Sequence, residues 1–537
     1  MLSSICINRE MLSGVWLYKS SVTLNRQYKH FYMAYYIIEC LIIAFGKDKI
    51  MSYQRVLMIL ASLSLSSCTV GPDYVKPPVP VPAKFKEAGR NWKVAQPQDN
   101  HDRGEWWTVF NDPRLNDLEQ QASTANQTIV NADANYRQAL ALVDEARASY
   151  FPTATITPSI TRQKKGGGST AFISTSSSGV TTTGTAAGAS GGGSNSSVST
   201  SHSLAFAASW EPDLWGSISR TVEASRAGAE ASHALLASTQ LSAQGSLAQL
   251  YFQVRALDKD QQLLNRTVLE YRRALQLTQF QYASGVAARA DIVQAQSQLE
   301  VAEAQAINNK INRAQFEHAI AVLVGKPPAE FSLSPMPLAA LPPRIPLALP
   351  STLLERRPDV AQAERLMAQA NAQIGVAIAA YFPTLTLSAT ASVTNSGYAH
   401  WFSIPALGWA LGPQLAETIL DGGLRKATTQ AARASYDATV ASYRQIVLAA
   451  FQDVEDNLAS LRILAREASV QNKAAQDARK ALQLVLNQYK AGTVAYANVI
   501  TAQTAAYTAE KNAADITGLR MTSAVGLIKA LGGGWRE

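Results

Sequence analysis

Four short segments of the chain alternate between apolar and polar side chains at every second residue. The clearest is "LAFAASW", in which Leu204, Phe206, Ala208 and Trp210 fall on one side. Because successive side chains of a strand point to opposite faces, this alternation predicts strands with one apolar face. The predicted strands are listed by residue number: about 152–162, 202–214, 383–394 and 407–419.

The residues between the first two predicted strands, 163–201, are rich in Gly, Ser and Thr. Such a composition has too little apolar area to join a core, so a solvated loop is expected there.

Helical periodicity fills most of the remaining chain. Asp112 and Pro113 suit the N-cap and first residue of a helix that continues to about Tyr150. No proline occurs between Ser217 and about Tyr282, and a helix of that length would reach roughly 100 Å at ~1.5 Å per residue.

A glycine turn follows the long helix. Gly285 suits the position just after a helix C-terminus, and a further helical pattern continues to about Val324. The two helices are predicted to form a long hairpin.

The same order of motifs occurs twice. "SYFPTATI" at Ser149 returns as "AYFPTLTL" at Ala380, "DLWGSISR" at Asp213 as "ILDGGLRK" at Ile419, and "QYASGVAARADIVQAQ" at Gln281 as "QYKAGTVAYANVITAQ" at Gln488. Three matches in the same order predict an internal duplication. We place the first repeat at 112–325, a Pro-rich linker at 326–350, the second repeat at 351–531 and a tail at 532–537.

An export signal begins inside the chain. Met51 and Arg55 precede an apolar run, and "LSSC" ends it at Cys68, which is typical of a lipoprotein signal peptide at 51–67. Cys68 would carry a covalent lipid as the mature N-terminus, followed by a Pro-rich tether at 68–111. Residues 1–50 are interpreted as an upstream mis-start, absent from the mature protein, with a genuine anchoring helix as the alternative.

Composition narrows the classes of partner and the route through a membrane. Charged residues make up 16% of the 537 residues, and the net charge of +8 is spread without a basic run, so nucleic acid is not an expected partner. No segment after Cys68 is apolar enough for a spanning helix, which leaves strands as the way across a membrane. Four strands cannot close a barrel alone, so other copies of the chain are expected to complete it. Two copies would give eight strands with an interior filled by side chains, and three would give twelve strands around a conduit.

Candidate enzyme chemistry is sparse. The pattern "GASGG" from Gly188 lies in the predicted loop instead of a strand-to-helix turn, and His101, His202, His233, His318 and His400 are scattered singly and interpreted as surface residues. No metal or phosphate motif occurs. We therefore expect no enzyme activity, no bound metal and no cofactor beyond the lipid on Cys68.

Several motifs together resemble the outer membrane efflux protein family, the TolC-like group, and within it the NodT and OprM-like lipoproteins. They are "CTVGPDY" from Cys68, Trp106-Trp107, the two Tyr-Phe-Pro-Thr motifs and "LPSTLLERRPDVAQAE" from Leu349. The resemblance implies a mixed α and β membrane protein: a trimeric twelve-stranded transmembrane β-barrel continued by a periplasmic α-helical barrel. It also implies a location in the outer membrane of a Gram-negative bacterium.

The resemblance further implies a passive duct that exports small molecules. Its partners would be a periplasmic adaptor, an inner-membrane pump of the RND or another type, two further copies of the chain and outer-membrane lipid. A type I protein-secretion duct, or a structural or adhesive trimer without transport, remains the alternative.

The resemblance also implies a periplasmic gate near the glycine turns at Gly285 and Gly492. By position, Tyr489 corresponds to a gating tyrosine and Asp291 to its acidic partner, with Arg289 as a further candidate. Interhelical packing is the alternative role of Tyr489, and that of Asp291 is a helix-start carboxylate.

The second repeat departs from the family at the constriction. Val494, Asn498 and Thr501 stand where relatives often carry charged side chains.

Overall fold

The structure is a computed structural model that describes residues 69–78, 86, 104–164, 198–338, 342–343, 356–395 and 407–533. The predicted upstream segment, the signal peptide, Cys68, most of the 163–201 loop and the end of the tail lie outside these residues.

Seven α-helices and four strands of the described residues form two copies of one arrangement, with one additional helix at the start of the first copy. The first copy contains α1 (Pro113–Ala125), α2 (Gln127–Ala148), β1 (Thr153–Lys164), β2 (Val198–Trp210), α3 (Ser217–Ala283) and α4 (Arg289–Leu323). The second contains α5 (Pro358–Ala379), β3 (Thr384–Asn395), β4 (Leu407–Ala416), α6 (Leu424–Lys490) and α7 (Tyr496–Ala530).

The duplication holds at the level of single residues. Helices α2 and α5 have 22 residues each, α3 and α6 have 67 each, and α4 and α7 have 35 each. Gly216 is the N-cap of α3 and Gly423 is the N-cap of α6, so these two glycines are equivalent. The sequence pairing, which set Asp213 against Ile419 and thereby Gly216 against Gly422, was wrong by one residue.

The single helix predicted from residue 112 to about 150 is two helices. Asp112 caps α1 as expected, because its side chain accepts hydrogen bonds from the backbone N–H groups of Arg114 and Leu115. Asn126 then ends α1 in an extended conformation, and its side chain caps α2. An Asn side chain competes with the backbone for local hydrogen bonds, and that competition interrupts the helix.

The four strands form one antiparallel sheet in the order β1-β2-β3-β4. The first two strands differ from the predicted bounds because the ladder continues to the pair Lys164 and Val198, so the connection between them is shorter than 163–201. Strand β2 ends at Trp210, before Pro212, which cannot donate to a ladder. Strand β4 ends at Ala416 and not at 419.

The pairing register confirms the predicted sheet faces. Leu204 and Phe206 of β2 are paired with Val393 and Ala391 of β3, which in turn lie opposite Leu407 and Trp409 of β4. His202 shares this face, paired with Ile160 of β1 and Asn395 of β3. It is 6% exposed, so its interpretation as a surface residue was wrong. None of the described helices is long and apolar enough to cross a membrane.

Helix α3 is the centre of the helical part. It packs against α2 and α4 of its own repeat and against α5 and α7 of the other repeat. A core cluster on it contains Trp106 and Trp107, whose rings meet edge to face at 5.9 Å, and Tyr251, whose hydroxyl donates to the Asp112 carboxylate at 2.6 Å. The cluster fixes the segment before α1 to the middle of the long helix.

A carboxyl group is buried in α1 without a hydrogen-bond partner. Glu119 is fully buried, lies between Leu115, Leu118 and Ala122 on one helix face, and neither of its carboxyl oxygens has a partner in the described residues. Burial raises the pKa of Glu119 from 4.5 to about 9. The folded protein therefore holds this side chain in its neutral, protonated form at neutral pH.

We predict that Glu119→Gln stabilises the protein increasingly as the pH rises. Between about pH 4.5 and 9 the unfolded chain releases the Glu119 proton and the folded chain keeps it, so the parent loses stability as the pH rises through this window. The gain should be on the order of 1–3 kcal/mol at pH 8 and vanish near pH 4. Thermal unfolding in detergent, followed by circular dichroism across this pH range, measures it.

The matched control is Glu145→Gln on the exposed surface of α2, for which no pH-dependent gain is expected. A gain at Glu119 that is the same at every pH would contradict the neutral carboxyl.

Candidate functional site

The two hairpins end in equivalent glycine turns. Gly285 has φ +76° and Gly492 has φ +72°, which is the left-handed region that favours glycine. In each turn the N–H of the following residue donates back to the third-last helical carbonyl, from Val286 to Gln281 at 2.8 Å and from Thr493 to Gln488 at 3.0 Å. Both turns are Schellman motifs, so the sequence located both hairpin ends correctly.

Tyr489 lies one turn above the second glycine and is 4% exposed. Its hydroxyl donates to the Thr278 hydroxyl of α3 at 3.1 Å, and its carbonyl accepts from the Gln281 side chain at 3.0 Å. Burial raises the pKa of the Tyr489 phenol, and the negative charge of Asp291 adds to this increase. Tyr489 therefore joins the second hairpin to the first within one chain.

Asp291 and Arg289 have different surroundings. The Asp291 carboxylate accepts a hydrogen bond from the N–H of Ala288 at 3.1 Å and so caps the start of α4. It is close enough to Tyr489 and Tyr496 to raise the pKa of both phenols, so the structure brings Asp291 and Tyr489 together without a hydrogen bond between them. Arg289 is exposed and forms no ion pair with any other described residue.

Tyr496 is a member of this cluster that the sequence reasoning missed. It is 1% exposed, and its ring centroid lies 5.3 Å from that of Tyr489. Tyr496 is the first residue of α7, and the first residue of α4, the equivalent helix of the first repeat, is Arg289. A comparison of the two repeats residue by residue could have found this difference.

The remaining differences between the tips follow the same pattern. Tyr282 corresponds to Tyr489 but is 46% exposed. Val494 packs against the tyrosine cluster, whereas Asn498 and Thr501 are exposed. The two tips therefore share a backbone and differ in which side chains they bury.

Four charged side chains connect the repeats farther from the tips. Arg479 of α6 forms a two-bond ion pair with Glu270 of α3, one bond at 2.8 Å, and Arg266 of α3 pairs with Glu510 of α7. Arg479 also lies 3.9 Å from Glu510. The four groups are only partly exposed, so the network holds α3 against both helices of the second hairpin. No sequence motif marks it.

A short segment, residues 69–78, runs along the helices, and we call it the strap. It begins one residue after Cys68 in the sequence. Val70 donates its N–H to the Trp215 carbonyl at 3.2 Å, and Arg220 reaches the carbonyls of Val70 and Gly71 and the Asp73 carboxylate.

Gly71 is required where the strap touches α5. It has φ +103°, and a Cβ there would lie 2.5 Å from the Gly375 backbone. Farther along the strap, Lys76 pairs with Glu364 of α5 at 2.8 Å.

The strap begins where strands give way to helices. Trp215 stacks on Phe382 with ring centroids 4.9 Å apart, and its indole donates to the Pro383 carbonyl at 2.7 Å. Exposed aromatic side chains surround this junction, among them Phe151 and Tyr381. Aromatic side chains at this height are typical of the boundary between a membrane and water.

Known proteins resemble this chain in sequence and in fold. A family model for the outer membrane efflux protein matches residues 118–326 and 349–533. The chain belongs to the outer membrane efflux protein family. The pyoverdine export outer membrane protein OpmQ of Pseudomonas aeruginosa is 30% identical over 497 residues, covering 91% of this chain and 98% of OpmQ. The cation efflux system protein CusC of Escherichia coli is 26% identical over 491 residues, covering 91% of this chain and 100% of CusC.

Solved structures of outer-membrane channels have a fold similar to that of this chain. The outer-membrane channel OprN superimposes with a TM-score of 0.75 at 28% identity, over 87% of this chain and 100% of OprN. The open state of the MtrE outer membrane channel of Neisseria gonorrhoeae gives a TM-score of 0.72 at 27% identity, over 87% of this chain and 98% of MtrE.

These findings confirm the predicted family and fold class. The efflux chain has the mixed α and β fold of the outer-membrane channels, with four strands per chain, long helices and an internal repeat. It is the outer-membrane component of an efflux system and extends from the outer membrane into the periplasm. The gate residues and the lipid on Cys68 stay predictions.

We predict that Tyr489→Phe combined with Asp291→Ala shifts the channel towards its open state. The first change removes the hydrogen bond to Thr278, and the second removes the cap of α4 beside it. A loss of ~1 kcal/mol of closed-state contact would raise the open population about fivefold. Conductance in planar bilayers measures this population.

Tyr282→Phe is the matched control for the single change Tyr489→Phe, because this tyrosine occupies the same position in the first repeat with its ring exposed. Equal effects of the Tyr282 and Tyr489 variants would mean that closure depends on other side chains.

Proposed function

We propose that three copies of the chain form a passive duct through the outer membrane. The duct would be a twelve-stranded barrel continued into the periplasm by a tube of the long helical hairpins. It would accept small molecules from an inner-membrane pump through a periplasmic adaptor and release them outside.

The observation that carries this proposal is the open sheet. Strands β1 and β4 each have one neighbour among the described strands, so each leaves one row of backbone N–H and C=O groups unpaired. In lipid each such group costs several kcal/mol, and closure is the only arrangement that pairs them all. Twelve strands leave a conduit, whereas eight would be filled by side chains.

The two faces of the sheet support the same arrangement. One face carries large exposed apolar side chains, which include Ile156, Phe206, Trp409 and Leu411. The opposite face carries hydroxyl and small side chains. In a membrane barrel the apolar face contacts lipid, and the other face lines the interior.

The cargo proposed is small molecules. Relatives of this chain are named for pyoverdine export, toluene efflux and cation efflux, and a duct that leaves the choice of cargo to its pump is consistent with this variety. A protein-secretion duct would share the same architecture. An adhesive trimer would need neither the glycine turns nor two hairpins of equal length.

The proposed partners fit the helical tips. Because α3 and α6 both have 67 residues, all the hairpin tips of a trimer end at the same distance from the membrane, about 100 Å at ~1.5 Å per residue. Such a ring of tips offers a periplasmic adaptor one level surface, and an RND-type or other inner-membrane pump would complete the path.

A lipid on Cys68 is part of the proposal. Thr69, the next residue, lies against Gly216 at the start of α3, and Val70 is bonded to Trp215. This is the junction where the aromatic side chains mark the inner boundary of the membrane. An acyl chain attached one residue earlier would be placed to enter the inner leaflet.

We predict that the purified protein is a trimer that conducts ions across planar bilayers. Light scattering in detergent gives the number of copies, and the current at fixed voltage reports the duct. An adhesive trimer would give the same mass with no current, and a current from single chains would contradict the shared barrel.

We predict that the mature chain begins at Cys68 and carries covalent lipid. Intact mass spectrometry should give the mass of residues 68–537 plus the lipid, and Cys68→Ala should lose the addition. An unmodified Cys68, or a mass that includes Met1, would contradict the proposal while leaving the duct intact.

A further inference from the structure

The face of the sheet opposite the apolar one carries no charge in any described strand. On β1 this face consists of the odd-numbered residues from Thr153 to Gln163, and on β2 it also consists of the odd-numbered residues. On β3 and β4 it consists of the even-numbered residues, which end at Ala416. Every side chain at these positions is Thr, Ser, Gln, Ala or Gly. In the proposed trimer the same surface would occur three times and enclose the whole barrel interior.

Some of the hydroxyl groups on this face are bonded to the sheet itself. Ser159 and Ser203 hydroxyls lie 2.6 Å apart across β1 and β2. Ser388 donates to the Gly412 carbonyl at 3.1 Å, and Thr153 donates to the Ser209 carbonyl at 3.3 Å. A hydroxyl that already donates to the sheet is one donor fewer for a passing molecule to bind.

The charged side chains of the strands lie elsewhere. Arg162 and Lys164 are at the outer end of β1 on the apolar face. Beyond the inner ends of the strands, Glu211 follows β2 and Glu417 follows β4, and Asp421 is paired with Arg425 at 2.7 Å.

The middle of the inner face is distant from both ends. Thr390 lies six residues from Thr384 and five residues from Asn395, the two ends of β3, which is about 20 Å and about 17 Å along a strand at ~3.3 Å per residue. Salt screens charges beyond about 8 Å at physiological ionic strength, so no strand charge reaches the level of Thr390.

We propose that the barrel interior is electrically neutral and passes cationic, anionic and uncharged cargo without preference. This rests on the proposed duct, and it assigns the choice of cargo charge to a step before the barrel. The barrel then adds neither an electrostatic barrier nor a holding site for a charged molecule.

The test uses the variant Thr390→Cys and two small, membrane-impermeant methanethiosulfonate reagents, which react with thiols. One reagent carries a cationic trimethylammonium group, and the other carries an anionic sulfonate group. Cells that carry Thr390→Cys are labelled from outside, so the state of the periplasmic gate does not matter. The rate ratio of the two reagents is compared with their ratio on a small neutral thiol in solution. We expect the two ratios to agree within about threefold, because a ring of three charges ~7 Å away would change the ratio about tenfold or more.

Two further variants make the result decisive. Ala389→Cys places the thiol one residue away on the lipid face, where neither reagent should react. Adding Ala410→Asp to Thr390→Cys puts three carboxylates beside the three thiols, since Ala410 is paired with Thr390, and should favour the cationic reagent about tenfold. Labelling after denaturation reports the amount of each protein, and the parent gives the background from its own cysteines.

The outcomes separate this inference from the proposed duct. If Thr390→Cys reacts with neither reagent, or Ala389→Cys reacts instead, the inner face does not line a water-filled conduit and the duct itself fails. If Thr390→Cys reacts but prefers one reagent by more than about threefold, the duct stands and the neutral interior is wrong.

Discussion

A backbone polar group in lipid must find its partner within protein, and this requirement governs the rest of the molecule. The described sheet has four strands and two open edges. In the proposed trimer, neighbouring copies of the chain pair these edges. Closure by three copies would then impose the wide interior, the ring of helical hairpins and the need for both hairpins to reach the same depth.

The internal duplication gives the two hairpins of one chain the same length, so both can reach the same depth. Helices of 67 and 35 residues recur without an insertion or deletion, because a single inserted residue would rotate one hairpin face by about 100° against its neighbours. The difference in length between the repeats falls in the strand and loop region, where the connection from α5 to α6 is shorter than that from α2 to α3. Side chains changed more freely, which is why the tip of one repeat buries Tyr489 and Tyr496 while the other exposes Tyr282 and Arg289.

The sequence predicted the parts of the fold that depend on local periodicity. Alternation along β2 identified its apolar face, and Gly285 and Gly492 located both hairpin ends. Local patterns failed where one side chain interrupts a helix that its neighbours favour. Asn126 is such a residue, because it divides one predicted helix into two. They also could not find contacts between distant segments, such as the ion pair of Arg479 with Glu270, which joins α6 to α3. The candidate gate shows the same limit, because the resemblance to the family pointed to Tyr489 but not to its partner Thr278.

The strap has a consequence for the height of the protein in the membrane. Only one peptide unit, about 3.8 Å between Cα atoms, separates Cys68 from Thr69, and Thr69 lies against the start of α3. An acyl chain on Cys68 would therefore stay close to the start of α3. Because the acyl chain would remain in the membrane, it would resist movement of the barrel along the membrane normal in either direction. A loosely tethered lipid could hold the protein on the membrane but could not set its level. The close contact of Gly71 with Gly375 would then convert a lipid anchor into a fixed reference height.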